Sequence, residues 1–266
     1  MPTALLSLFA IADYLIATIV LALPIARLPA PARGIGLALA TLAVLVHGTL
    51  MFGLHRGGLD LHFFASLSLA AFGIAALTLI VNLVRPVAAL GVLVFPVAAL
   101  LLGLDVFYAP ATVAQPMEWQ IKLHVSFALL AYSLLSIAAL LAILLALQER
   151  ALRRHRIDSG LIRALPPLTM TESLLFRLIG VGFVFLTLTL VSGVLFVDDL
   201  FAQHLAHKTI LSIASWLVFG VLLFGRWRWG WRGGRAVRLT LIGMSVLLLA
   251  FFGSKFVLEM VLHRPL

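Results

Sequence analysis

Eight apolar runs, each close to the length of a bilayer crossing and each closed by a short polar break, leave this chain few architectures. The runs lie at about 4–26, 35–54, 61–84, 87–104, 122–147, 173–197, 208–225 and 238–262, and a crossing needs about 20 apolar residues. The breaks carry Pro, Gly and charge: "ARLPAPARG", "HRGGLD", "RP", "YAPATVAQPMEW", "QERALRRHRIDSGLIRALPPLTMTE", "VDDLFAQHLAHK" and "GRWRWGWRGGRAVR". Only the fourth run is both short and interrupted by a proline, Pro96. Charged residues make up 11% of the chain, against about a quarter in a soluble domain. A soluble fold is excluded. The expected fold is all-α, a polytopic membrane helix bundle of eight transmembrane helices.

The basic residues orient it. Arg27, Arg33, Arg85, Arg150, Arg153, Arg154, Arg156, Arg163, Arg177, Arg226, Arg228, Arg232, Arg235 and Arg238 fall in or beside alternate loops, 14 of the 19 basic residues. Arg56, Lys122, Lys208, Lys255 and Arg264 lie on the other side. The richer side faces the cytoplasm, so both termini are expected outside. The net charge of +9 then reflects cytoplasmic loops and lipid contact, and no nucleic-acid partner is expected. "RWRWGWRGGR" reads as interfacial Trp residues with anchoring Arg residues. The first run is not read as a cleaved signal peptide, because its basic flank follows the apolar stretch. "TMTE" reads as a capping box, Thr169 at the N-cap and Glu172 three residues on. With no Cys in the chain, disulfides, thiolate metal sites and thioether-linked heme are excluded.

Histidines collect on the outer side. His55, His62, His124, His204, His207 and His263 lie at or near outer helix ends, whereas His155 is cytoplasmic. His47 sits about seven residues inside the second helix, roughly 10 Å deep. Asp13 and Lys255 lie at similar or greater depth, where an ionisable group costs a few kcal/mol and marks a functional candidate. Each has a structural alternative. Lys255 and Glu259 are spaced to pair along one helix, Asp13 has the option of pairing with Lys255, and His47 suits a hydrogen-bonded core position. Imidazole is a common axial ligand of heme iron, and Lys122 beside His124 and Lys208 beside His207 suit heme propionates. HxxH (His204, His207) also suits zinc, but no HExxH motif accompanies it.

Three segments carry a family resemblance. "WQIKLHVSFALLAYSLLSIAALLAILLALQE" (119–149), "LPPLTMTESLLFRLIGVGFVFLTLTLVSGVLF" (165–196) and "HKTILSIASWLVFGVLLFGRWRWGWRGGRAVRLTLIGMSVLLLAFFGSKFV" (207–257) resemble the cytochrome c assembly family. That family holds the heme-handling CcmC and CcsA proteins, and the likeness is greatest to its short YpjD/HemX-like inner-membrane branch. It spans residues 115–262, so the chain divides into an N-terminal four-helix segment, 1–110, and a family-like four-helix core, 111–266. The resemblance implies that His124 takes the place of an external heme-ligating histidine, that His263 falls near a second, and that His47 resembles a membrane-embedded histidine of heme-channelling members. Between the sixth and seventh helices, however, "VDDLFAQHLAHKTILS" replaces the tryptophan-rich WGxxWxWD type of segment that presents heme to an acceptor. Attachment of heme to apocytochrome c by this chain alone is therefore not expected.

The reading is a non-enzymatic, multi-pass protein of the bacterial inner membrane that holds heme noncovalently, as b-type heme, at its outer face. Its cofactor-binding residues are His124, His207, His263, His47, Lys122 and Lys208, with the first three histidines as iron ligands. Asp13, Lys255 and Glu259 form an intramembrane polar cluster. Its partners are lipid, heme and other cytochrome c assembly components. Two alternatives stand beside it: a scaffold or regulator of heme biosynthesis, and a small-ion or metal efflux protein using Asp13, His47, Lys255 and Glu259.

Overall fold

A backbone surrounded by hydrocarbon must satisfy its own polar groups, and a helix does so within one segment. In the computed structural model, which describes residues 2–25, 33–53, 58–59, 62–84, 87–108, 115–116, 118–154, 166–196 and 203–257, all eight apolar runs are helical. They are α1 (Pro2–Ala22), α2 (Arg33–Gly48), α3 (Phe63–Val84), α4 (Ala88–Tyr108), α5 (Trp119–Arg153), α6 (Leu168–Phe196), α7 (Gln203–Trp229) and α8 (Gly234–Leu248). Helix α2 runs on through a π turn, Thr49–Gly53, and α8 through another, Leu249–Gly253, into a last turn, Ser254–Phe256. Eight helices are long and apolar enough to cross a membrane. One antiparallel bridge, Gly58–Leu59 with Gln115–Pro116, is the extended pairing among the described residues.

Pro96 does not break α4, which spans all 21 residues from Ala88 to Tyr108. A proline costs the helix one hydrogen bond, but neighbouring helices make this tolerable in membranes. Helix α5 is longer than its apolar run, because polar residues such as Gln148, Glu149 and Arg150 continue the helix beyond it. The capping-box reading of "TMTE" is corrected. Helix α6 begins at Leu168, with the Pro167 carbonyl accepting from the N–H groups of Met170 and Thr171 (2.9 and 3.1 Å). Thr169 therefore lies inside the first turn, and Glu172 turns to a charged partner, Arg226, at 2.8 Å.

The chain forms two compact units, Met1–Met117 with Ala151–Pro166, and Glu118–Arg150 with Pro167–Leu266. In the first, α1 packs on α2 and α4, and α3 packs on α4. Small residues make the approach close: Ala10 and Ala17 on α1, Ala40 and Ala43 on α2, all fully buried. Gly36 belongs to the same set, since a Cβ there would lie 2.9 Å from the Leu21 side chain. Tyr14 stacks on Phe95 at 5.9 Å, and the Arg33 guanidinium ties the start of α2 to the end of α3 through the Asn82 carbonyl, 2.7 Å.

In the second unit α7 packs between α6 and α8, and polar side chains bind the helices across apolar faces. Trp216 Nε1 donates to Thr187 Oγ1 (2.9 Å) while its ring stacks on Phe183 at 5.4 Å. Ser215 donates to the Gly243 carbonyl at 2.8 Å. Tyr132 on α5 donates to the Leu247 carbonyl at 2.5 Å, just before the π turn Leu249–Gly253. The α7–α8 turn needs two glycines in the left-handed region, Gly230 (φ 64°) and Gly233 (φ 54°).

Candidate functional site

His124 lies one turn inside the start of α5, half-buried. Its Nδ1 is 2.9 Å from Ser192 Oγ on α6, and Ser192 Oγ is 3.0 Å from the Thr189 carbonyl one turn back. A hydroxyl has a single proton. With that proton given to Thr189, Ser192 accepts from Nδ1–H, which makes Nδ1 the protonated nitrogen of a neutral imidazole. Nε2 then carries the lone pair, with no hydrogen-bond partner among the described residues. Metal-ligating histidines are commonly anchored this way, through the ring nitrogen that does not bind the metal. Gly193 lies beside the ring, where a Cβ would make an ordinary van der Waals contact of 3.4 Å with His124 Cε1. The rings of Trp119 and Phe196, 5.8 Å apart, pair above it at the helix ends.

Deeper in the same unit two lysines meet on one ring. Lys208 Nζ lies 6.0 Å and Lys255 Nζ 5.7 Å from the centroid of Phe251, which belongs to the α8 π turn and packs on Tyr132. Tyr132 is eight residues beyond His124, about 12 Å along the axis, so the lysine pair sits deeper than the imidazole. A cation near an aromatic face is favourable, and π turns are frequent at functional sites.

The other sequence candidates are placed unequally. His207 is exposed on α7, and Lys122 is exposed on α5. Lys122 and His124 are two residues apart and so point to different faces of the helix; they share a level and not a face. His263 and Glu259 lie outside the described residues. His62 acts as a helix cap, its Nδ1 accepting from the Ala65 N–H at 2.9 Å.

His47 lies in the first unit, fully buried, with Tyr14 Oη 3.3 Å from Nδ1 and Ser68 Oγ 3.0 Å from Nε2. Both ring nitrogens are engaged, which matches a hydrogen-bonded core histidine and leaves no free lone pair for iron. Asp13, Lys255 and His47 are all buried (6%, 4% and 0% exposed), as the cost of ionisable groups in hydrocarbon requires. Asp13 Oδ2 has no hydrogen-bond partner among the described residues. No group of three or more His, Asp or Glu side chains able to hold a bare metal ion occurs among the described residues.

Sequence reasoning missed Ser192, Gly193 and Thr189, which hold the imidazole. Their one signal was "SG" (192–193) inside an apolar run, a polar and a small residue where two helices touch.

Known proteins resemble this chain in sequence. The family described as "Cytochrome C assembly protein" matches residues 35–262, reaching further toward the N-terminus than the motifs at 115–262. The chain is 37% identical over 138 residues to "Inner membrane protein YpjD" of Escherichia coli (strain K12), covering 52% of each protein. It is 40% identical over 159 residues to "Uncharacterized 28.8 kDa protein in nifR3-like 5'region" of Azospirillum brasilense, covering 58% of each. It is 29% identical over 164 residues to "Cytochrome c biogenesis protein CcsA" of Guillardia theta, covering 56% of this chain and 54% of that protein. The chain spans about half the length of the curated relatives it matches. No solved structure matches it. The eight apolar helices and the match over residues 35–262 together place this chain in the cytochrome c assembly protein family.

Proposed function

We propose that this protein lies in the bacterial inner membrane with both termini outside and holds heme noncovalently near its outer face. The observation that carries the reading is the His124–Ser192–Thr189 chain of hydrogen bonds, which leaves Nε2 as the ligand atom. The donor set suits heme: one anchored neutral imidazole, aromatic cover from Trp119 and Phe196, and cations on the same unit. His124 supplies one axial ligand, and His207 or His263 the second. Lys208 is the cation offered to the propionates, whereas Lys122, on the other face of α5, stays outside the site. His47 stays in its hydrogen-bonded role in the first unit, outside the ligand set.

The bound heme supplies the redox-active iron. The chain's own residues select the imidazole tautomer and neutralise carboxylates. Relatives named for cytochrome c biogenesis support a place in that process. The role is to hold and hand on a cofactor, with no chemical change to it, alongside other assembly components. With no Cys in the chain, acid–acetone is expected to extract all heme and leave colourless polypeptide. Colour retained by the polypeptide contradicts noncovalent binding. Alkaline phosphatase fused after Leu266 is expected to be active, and an inactive fusion that is fluorescent when replaced by a cytoplasmic reporter reverses the orientation.

A further inference from the structure

On the arginine-rich face of the second unit, at the start of α6, lies an open cleft of about 380 Å³ that the heme reading does not use. A volume near the lower end of small-ligand sites, about 300–1,000 Å³, suits a compact group. Three arginines line it, Arg177, Arg226 and Arg232, together with Glu172 as its carboxylate and the hydroxyls of Thr169 and Ser173. Arg226 is committed. It binds Glu172 at 2.8 Å, donates to the Trp231 carbonyl at 3.1 Å and lies 4.5 Å over the Phe176 ring. Arg177 and Arg232 are exposed and have no partner among the described residues. Three guanidiniums against one carboxylate leave a lining charge of +2 (3 − 1).

We propose that this cleft binds a phosphate-type anion. Guanidinium forks match the paired oxygens of a phosphate. Thr169 and Ser173, spaced four apart on one face of α6, add hydroxyl donors. Depth also argues for it. Trp227 and Trp229, on the same turn of α7 as Arg226, are 80% and 60% exposed, and such tryptophans sit at headgroup level. The phosphate of an anionic phospholipid is thus within reach, as is a soluble phosphate from the aqueous side.

The full-length protein, stripped of lipid in detergent, tests this by native mass spectrometry with added phosphatidylglycerol or phosphatidylcholine, and by thermal shift with inorganic phosphate. Phosphatidylglycerol is expected to bind about tenfold more tightly than phosphatidylcholine, from charge-assisted contacts. The double variant Arg177→Gln/Arg232→Gln, which keeps the Arg226–Glu172 pair, is expected to lose that preference. Arg228→Gln/Arg238→Gln, outside the cleft, is expected to keep it within about twofold. Phosphate binding that the first pair abolishes, without lipid preference, supports the same chemistry with a soluble source. The proposal is overturned if neither probe binds, or if the control pair loses as much as the cleft pair.

Discussion

His124→Ala is expected to reduce the heme retained by purified protein at least tenfold, while helix content and solubility stay unchanged. The side chain is half-buried at a helix end, so its removal leaves a small gap and no orphaned charge. Ser192→Ala is the more discriminating variant. It keeps the imidazole but removes the acceptor for Nδ1–H, releasing the tautomer and ring orientation. Loss of such an outer partner costs about 10–100-fold in metal affinity, so heme titration should show weakening of that order. His155→Ala, assigned by the charge pattern to the cytoplasmic side, should leave retention unchanged. Retention at the unsubstituted level in both His124→Ala and Ser192→Ala removes His124 from the site.

Arg226→Ala is expected to be among the most destabilising single changes in the second unit. Glu172 is 8% exposed, and Arg226 neutralises it at 2.8 Å. Arg226 itself is a third exposed (32%), so water screens the pair, and its removal leaves the Glu172 carboxylate short of a charged partner at a cost of about 1–2 kcal/mol. The Trp231 carbonyl and the Phe176 ring lose a partner as well, so the α7–α8 turn should loosen. Reversible unfolding in mixed detergent measures the loss. Arg226→Met/Glu172→Leu, which removes both charges, should recover more than half of it, since replacing both members of a buried pair with apolar residues is often neutral or stabilising. Equal losses in the single and double variants would mean that the unpaired Glu172 charge is not the source of the loss.

The helices were legible because their signal is local. An apolar run of about 20 residues has one outcome in hydrocarbon, and Pro96 could not overturn it. Ends were less legible: hydropathy stops near residue 147, but α5 carries its polar last turns to Arg153. The misread capping box at Thr169 failed for another reason. Glu172 had a choice of partners, and the better one lies 54 residues away on α7. The same distinction divides the site. His124 stood out as a histidine at a helix mouth, and His47 as one too deep to be incidental. Their partners did not, because Ser192 is 68 residues from His124 and Ser68 is 21 from His47. Helix register, set by packing, decides which nitrogen is tied and which is left to bind. That register turned one histidine into a candidate ligand and gave the other two hydrogen bonds.

The central claim, that His124 offers a heme ligand, is tested most directly by the visible spectrum of the detergent-purified full-length protein. Spectra are taken after expression in heme-replete cells and again after reconstitution with hemin. A Soret band with the sharp, reduced visible bands of a low-spin bis-imidazole heme, diminished in His124→Ala, is the predicted result. Absence of Soret absorbance in both preparations of a folded protein would contradict it.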